Sequence, residues 1–208
     1  MTVAASPSRP FGVHPSVAYA QSIIAGMAAR TGRSLDEWAA LLSEQGPESP
    51  AERKAWLKSV HGLGGTTISL VLDRAAGKDR SEVDSEAYLA IAPKYVEAMF
   101  SGPKAALRPI YEALLALGYE LGEDVKACPC KTIVPLYRKH VFAEIRPATR
   151  TRVDLGLALR DTPAEGRLID TGGFQKKDRI THRIALTSPA EIDAEVRRWL
   201  ERAYEMDA

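Results

Sequence analysis

The chain has 208 residues, which is long enough for one large domain or two small ones. Hydrophobic residues make up 45% and charged residues 26%, which is typical of a globular protein and excludes a disordered one. Because 28 Lys and Arg residues nearly balance 27 Asp and Glu residues, the net charge of +1 indicates no partner by itself.

The N-terminus and the cysteines indicate where the protein resides. Residues 1–13 lack the apolar segment of a signal peptide, so we expect a flexible tail there. No apolar run reaches the roughly 18 residues that a membrane-spanning helix needs. Cys128 and Cys130 lie too close in sequence for an unstrained disulfide. We therefore expect a cytoplasmic protein that makes no contact with a membrane.

Residues 14–80 have the pattern of a bundle of about four helices. Apolar side chains recur at helical spacing over residues 17–27. Capping boxes at residues 34–37 and 49–52 predict where a second and a third helix begin. A glycine-rich turn follows, and the helical pattern resumes at Thr66. We interpret this part as a helical domain.

Residues 81–208 predict an α+β domain. Helical patterns cover residues 85–100 and 110–117; Pro93 is expected to break the first helix and Gly118 to cap the second. Further along the chain the apolar period changes from 3.6 to 2, which indicates antiparallel strands with one wet face. The predicted strands cover residues 133–137, 141–145, 153–159 and 183–186.

The end of the chain completes this prediction. A polar turn, Arg138-Lys139-His140, joins the first two strands, and residues 161–181 form a loop rich in Gly and charge. Ser188 is expected to cap a final helix, with Pro189 in its first turn. The expected fold is a helical bundle joined to an antiparallel sheet of four or five strands, which helices cover on one face.

The first candidate site is the turn between the third and fourth helices. The segment Gly62-Leu63-Gly64-Gly65-Thr66 resembles the hairpin of the helix-hairpin-helix motif. In that motif, glycines allow the backbone to approach a phosphate, and free amides at the start of the helix bind it. The anion-binding residues that this predicts are Gly62, Gly64, Gly65 and Thr66. A plain connector whose glycines supply positive φ is the alternative, and few basic residues lie nearby.

The second candidate site is a basic stretch of the predicted sheet. Between residues 126 and 183, thirteen Lys and Arg residues stand against six Asp and Glu residues, a local excess of seven positive charges. Such a surface can hold a nucleic-acid backbone. The expected phosphate contacts are Arg138, Lys139, Arg146, Arg150 and Arg152. Alternatively, these residues form an ordinary polar face, and salt bridges with Asp154 neutralise some of them.

The sequence contains no motif that identifies a metal or a catalytic site. Cys128 and Cys130 could ligate a metal with His140 and His182, but a Cys-x-Cys spacing is unlike that of structural zinc sites. Walker loops, nucleophile elbows and dinucleotide fingerprints are missing. The segment Asp170-Thr171-Gly172-Gly173 resembles the Asp-Thr-Gly segment of aspartic proteases. That chemistry needs a second such aspartate, and the sequence contains no second copy of the segment. We predict no metal and no cofactor, and we favour a protein that is not an enzyme.

Two stretches of the chain resemble known families. Residues 14–78 are similar to a small helical bacterial domain of unknown function (number 4287), through Trp38, Trp56-Leu57 and Gly62-Leu63-Gly64. Residues 103–208 resemble domain of unknown function number 5655, also labelled predicted transport protein. The matching segments are Lys131-Thr-Ile-Val, Phe142-Ala-Glu-Ile-Arg-Pro, Leu155-Gly-Leu157 and Ala203-Tyr204-Glu205. Neither resemblance implies an activity or a catalytic residue.

These observations lead to three hypotheses of function. The first is a cytoplasmic module that binds nucleic acid or another polyanion. The second is a small-molecule-binding or enzymatic α+β domain, with a pocket between sheet and helices that uses Tyr137, His140 and Arg146. The third is a protein–protein adaptor in which the helical domain presents a groove.

Overall fold

The chain divides into two compact units. The computed structural model describes residues 10–78 and 80–208. The helical unit comprises Val13–Leu89, and the sheet unit comprises Ala90–Ala208 with residues 10–12. Helices build the first unit, and the second combines helices with an antiparallel sheet, so the predicted α+β class is confirmed.

The predicted N-terminal tail falls only partly on described residues. Residues 1–9 lie outside them. Phe11 packs against the core of the sheet unit, and the Gly12 amide donates a hydrogen bond of 3.0 Å to the Ala127 carbonyl. Phe11 and Gly12 are therefore part of the sheet unit.

Five α-helices, counted over the described residues, form most of the helical unit. They are α1 (Pro15–Ala25), α2 (Met27–Thr31), α3 (Leu35–Gln45), α4 (Pro50–Ser59) and α5 (Gly65–Ala75), followed by a short 3₁₀ helix, Arg80–Glu82. The predicted capping box begins α3: the Ser34 amide donates to Glu37 Oε2 (2.7 Å), and the Glu37 amide donates to Ser34 Oγ (3.3 Å). The apolar core includes Met27, Trp38, Leu42, Leu57, Leu63, Ile68 and Val71.

The next helix corrects one prediction. Helix α6 runs from Ser85 to Met99 without a break at Pro93. A proline in a helix leaves the carbonyl four residues earlier without its usual donor. Pro93 is exposed, and Leu89, whose carbonyl is affected, is 40% exposed. Water is therefore available to that carbonyl, and the helix continues.

Helix α7 (Arg108–Glu120) follows a 3₁₀ helix, Gly102–Leu107, and corrects a second prediction. Gly118 does not end α7 but lies inside it, buried against β2. A Cβ atom at this position would lie 2.7 Å from Leu136 Cδ1. The glycine is required by close helix–sheet packing and not by a helix end.

The sheet unit is organised around one antiparallel sheet. Its strands are β1 (Lys126–Ala127), β2 (Val134–Tyr137), β3 (Val141–Pro147), β4 (Val153–Leu157), β5 (Ile169–Asp170) and β6 (His182–Leu186), in the order β1-β2-β3-β4-β6-β5 over the described residues. The four predicted strands are confirmed as β2, β3, β4 and β6. A β-bulge at Phe142 separates the pairs Leu136↔Ala143 and Tyr137↔Val141.

The buried face of the sheet follows from its register. Ile145 pairs with Leu155, and Leu155 pairs with Ile184, so these three apolar side chains lie side by side on one face. The strands pack against α7 and α8 (Ala194–Glu205) in one core. The opposite face has the polar side chains Glu144, Arg146, Asp154 and Arg183.

The start of the last helix differs from the prediction. Ser188 caps only a 3₁₀ turn, Pro189–Glu191, by accepting a hydrogen bond from the Ala190 amide. Asp193 caps α8, because its carboxylate accepts hydrogen bonds from the amides of Glu195 and Val196. The capping signal was identified one turn too early because Ser188 and Asp193 both match it.

The central strand gives a direct test of this core. Leu155 is fully buried, so Leu155→Ala should lower the free energy of unfolding by about 2–5 kcal/mol in urea denaturation. Ile169→Ala is the control, because Ile169 is 41% exposed on the edge strand and its loss should cost less than about 0.5 kcal/mol. Equal costs for the two variants would contradict the assignment of Leu155 to the core.

Candidate anion-binding cleft

An open cleft of about 590 Å³ lies at one end of the sheet unit. The last residues of α6 and the 3₁₀ helix after it form one wall. The other wall consists of the segment before β2, the end of β3 and the β3–β4 turn. Four basic side chains line it, and none of the lining residues is acidic: Lys104, Lys131, Arg146 and Arg150.

The positive charge of the cleft is not neutralised within the described parts of the chain. None of the four basic side chains forms an ion pair with a residue in 10–78 or 80–208. Lys104 Nζ donates a hydrogen bond of 2.7 Å to the Pro147 carbonyl, which joins the two walls but leaves the charge unpaired. Charges of one sign in a concave surface attract an oppositely charged ligand.

Arg146 has no ion pair because its neighbour across the strands is already occupied. Arg146 pairs in register with Asp154 of β4. The Asp154 carboxylate lies 2.8 Å from Arg152 Nε and 3.5 Å from Arg183 Nη1. Glu144, beside Arg146 on the same face, is half-buried, and burial raises the pKa of its carboxyl although Arg146 lowers it.

The turn between β3 and β4 presents Arg150 to solvent. The Thr149 amide donates to the Arg152 carbonyl (3.2 Å), and the Thr151 amide donates to Thr149 Oγ1 (3.2 Å). These bonds fix a short turn in which Arg150 is exposed. Arg152, predicted with it, does not line the cleft and is paired with Asp154.

The other two predicted basic residues lie at the opposite end of β3. Strand β3 has seven residues, so its ends are about 20 Å apart. Arg138 is half-buried: its Nε lies 2.8 Å from Asp124 Oδ2, and its guanidinium lies 4.2 Å from the centre of the Tyr204 ring. Its hydrogen bond to Asp124 lowers the pKa of that carboxyl. Lys139 is exposed in the adjoining turn.

His140, in the same turn, is oriented by a buried carboxylate. Asp207 Oδ2 accepts a hydrogen bond of 2.7 Å from the His140 amide, and Asp207 Oδ1 lies 3.0 Å from His140 Nδ1. Arg179 is ion-paired with the same carboxylate. The His140 side chain is 71% exposed and that of Asp207 is 2% exposed. Sequence reasoning missed Asp207, because nothing near the end of the chain indicates its partners.

The glycine turn of the helical unit joins α4 to α5. The Leu63 amide donates to the Leu57 carbonyl (3.1 Å), Leu63 is buried, and Gly62 has φ of +66°. Gly64 precedes α5 with φ of −75°, and no side chain caps the helix. Gly64, Gly65 and Thr66 are exposed, so the backbone amides at the start of α5 are accessible to a ligand and no side chain caps them.

The remaining candidates for chemistry are buried or half-buried groups of the sheet unit. Burial raises the pKa of the Cys128 thiol to about 12 and also raises the pKa of Cys130. Burial likewise raises the pKa of Tyr137 to about 12. His182 is buried, with Nδ1 2.8 Å from Thr181 Oγ1. Both thiols are therefore protonated near neutral pH, and the described residues contain no group of three or more His, Cys, Asp or Glu side chains placed to hold a metal ion.

The cleft contains two basic residues that sequence reasoning did not select. Lys131 belongs to the basic stretch but is not distinguished within it by sequence, and Lys104 lies between the two predicted helices, residues 85–100 and 110–117. Both reach the cleft through tertiary packing of distant segments. No local pattern in the sequence shows this packing.

A family model matches more than half of the chain. It covers residues 96–207 and is described as domain of unknown function (DUF5655). The chain belongs to this family. A second model, domain of unknown function (DUF4287), matches residues 19–65 within the helical unit. No curated protein and no solved structure matches the chain.

Within residues 10–78 and 80–208, no helix combines the length and the apolar character that crossing a bilayer requires.

The Asp207 contacts predict a specific loss of stability in acid. Burial alone would raise the pKa of Asp207, but hydrogen bonds from His140 and the nearby Arg179 lower it below its usual value. The stabilisation is therefore complete above the unfolded-state pKa near 4 and is lost as pH falls through the lower folded-state pKa. Asp207→Asn should cost about 1–3 kcal/mol at pH 7 and much less at pH 2.

Urea denaturation at the two pH values measures this difference. Asp161→Asn is the matched control, because Asp161 is exposed and forms no ion pair with any described residue. It should change stability little at either pH. A cost for Asp207→Asn that is the same at pH 7 and pH 2 would contradict the role of its carboxylate.

Proposed function

We propose that the protein is a non-enzymatic cytoplasmic module that binds the phosphate backbone of nucleic acid in the cleft of the sheet unit. The observation that supports it best is the group of four basic side chains in one cleft, with no acidic lining and no ion pair to a described residue. Phosphate contacts from Lys and Arg provide most of the affinity of non-specific nucleic-acid binding.

The surroundings of the cleft favour a backbone over a single small anion. The cleft is open to solvent, so a chain-like ligand can reach it without being enclosed. Two of its cations are arginines, Arg146 and Arg150, whose planar donors match phosphate oxygens in pairs. Lys131 is exposed and Lys104 half-buried, so the cleft presents cations at more than one depth.

The runner-up is a small phosphorylated ligand bound in the same cleft. Its volume of about 590 Å³ lies within the range of small-molecule sites. This hypothesis differs from the expected pocket around Tyr137, His140 and Arg146, since Arg146 alone of these three residues lines the cleft. A metabolite screen by thermal shift separates the two readings, since a ligand that binds the folded state raises Tm.

The first test removes two cations from the cleft. Arg146→Ala/Arg150→Ala should weaken binding of a fluorescent DNA duplex in anisotropy measurements. If each arginine contacts one phosphate, the slope of log Kd against log salt concentration should flatten by about 1.8. The control is Arg197→Ala/Arg198→Ala, which removes the same charge from exposed, ion-paired positions on α8. Equal effects of the two double variants would reject the cleft as the site.

The glycine turn of the helical unit is proposed as a separate phosphate contact. Gly64 and Gly65 lack positive φ, and a Cβ at either position would meet no atom within 4 Å. The fold therefore does not require glycine at these two positions. Close approach of a phosphate to the backbone amides would require it.

This difference makes the turn testable apart from stability. Gly64→Ala/Gly65→Ala should change the free energy of unfolding by less than about 1 kcal/mol, because helix propensity offsets the poorer cap. The same variant should weaken duplex binding in the anisotropy assay. Gly62→Ala is the contrast, because φ of +66° makes it destabilising. Wild-type affinity of the Gly64/Gly65 variant would remove the turn from the proposal.

A further inference from the structure

The loop between β5 and β6 presents an aromatic ring to solvent. We call residues 172–179 the Phe174 loop. Phe174 is 46% exposed, which makes it one of the few large apolar side chains on the surface of the described residues. It lies at the end of the sheet unit away from the cleft, since β6 begins beside the end of β4. The proposed function does not use this ring.

Hydrogen bonds hold the start of the Phe174 loop in one conformation. Asp170 Oδ1 accepts a hydrogen bond of 2.7 Å from the Gly172 amide, and Gly172 has φ of +69°. Gly173 is buried, and a Cβ there would lie 2.5 Å from the Ile180 carbonyl oxygen. The segment Asp170-Thr171-Gly172-Gly173 is thus a structural turn. It places Phe174 outward.

Further hydrogen bonds and an ion pair fix the backbone of the rest of the loop. The Lys177 amide donates to the Phe174 carbonyl (3.1 Å), and the Asp178 amide donates to the Gly173 carbonyl (2.9 Å). Arg179 Nε donates to the Val141 carbonyl (2.8 Å) and is ion-paired with buried Asp207. An exposed ring on a fixed backbone loses little conformational freedom when a ligand stacks on it.

Basic residues follow Phe174 closely in the sequence of the loop. Lys176 and Lys177 are exposed, and neither forms an ion pair with a described residue. Lys177 adopts φ of +62°, a strained conformation for a residue other than glycine, and such strain is typical of functional sites. Lys139 is exposed in the turn between β2 and β3. That turn and the Phe174 loop are connected by the Asp207 carboxylate, which contacts His140 of the turn and Arg179 of the loop. Asp178 is the acidic residue inside the loop.

We infer that the Phe174 loop binds unpaired nucleotides, with a base stacked on Phe174 and flanking phosphates near Lys176 and Lys177. Proteins that bind single strands combine aromatic rings for the bases with cations for the backbone. A duplex keeps its bases stacked inside and offers the ring no such partner. The inference rests on the proposed nucleic-acid binding and adds a preference for single strands.

The test compares Phe174→Ala with the wild-type full chain by anisotropy. The ligands are a fluorescent 20-nucleotide oligothymidine and a duplex of the same length. Loss of one stacked base should weaken oligothymidine binding about fivefold or more and leave duplex affinity within about twofold. Tyr19→Ala is the control, because Tyr19 is 62% exposed in the helical unit and has no neighbouring basic residue in sequence. It should bind both ligands as the wild type does.

Phe174→Trp provides an independent readout. It should restore oligothymidine binding, and its added fluorescence should be quenched when the ligand is bound. Oligothymidine affinity of Phe174→Ala equal to that of the wild type would overturn the inference and leave the cleft proposal standing. A wild-type protein that binds neither ligand at low salt would overturn both, and the two failures are thereby distinguished.

Discussion

Burial of one face of the antiparallel sheet is the constraint on which the sheet unit depends. Ile145, Leu155 and Ile184 lie side by side beneath α7 and α8, and their period of two leaves every alternate residue on the other face. A shift of register by one residue would bury Arg146 and Asp154. The hydrophobic core therefore also determines which polar side chains lie side by side on the opposite face. Because Asp154 is ion-paired with Arg152 and Arg183, its register partner Arg146 is available to a ligand.

The alternation of Val153, Leu155 and Leu157 predicted the strands correctly because one wet face imposes a pattern on the sequence itself. Pro93 does not break α6 as predicted, because the carbonyl that loses its donor is accessible to solvent. Gly118 does not end α7 as predicted, because its role is close packing against Leu136 of β2. Of the candidate cleft, sequence reasoning identified Arg146 and Arg150 on one hairpin. Lys104 could not be predicted, since tertiary packing alone brings it there.

The structure separates basic residues that the sequence grouped together. Five of the thirteen basic residues between 126 and 183 are ion-paired within the described chain: Arg138, Arg152, Arg167, Arg179 and Arg183. These pairs connect turns and helices to the sheet. The unpaired cations lie largely at the two ends of the strands, where the proposed cleft and the Phe174 loop are found. Net charge near zero thus coexists with local surfaces that suit an anionic ligand.

Lysine acetylation footprinting by mass spectrometry tests most directly whether the phosphates of nucleic acid occupy the cleft. The full chain is modified at low salt with and without a saturating DNA duplex. Lys131 should be modified more slowly in the complex, because it lines the cleft, while Lys94 on the exposed side of α6 should react equally in both samples. Unchanged modification of Lys131 in the presence of the duplex would contradict the account.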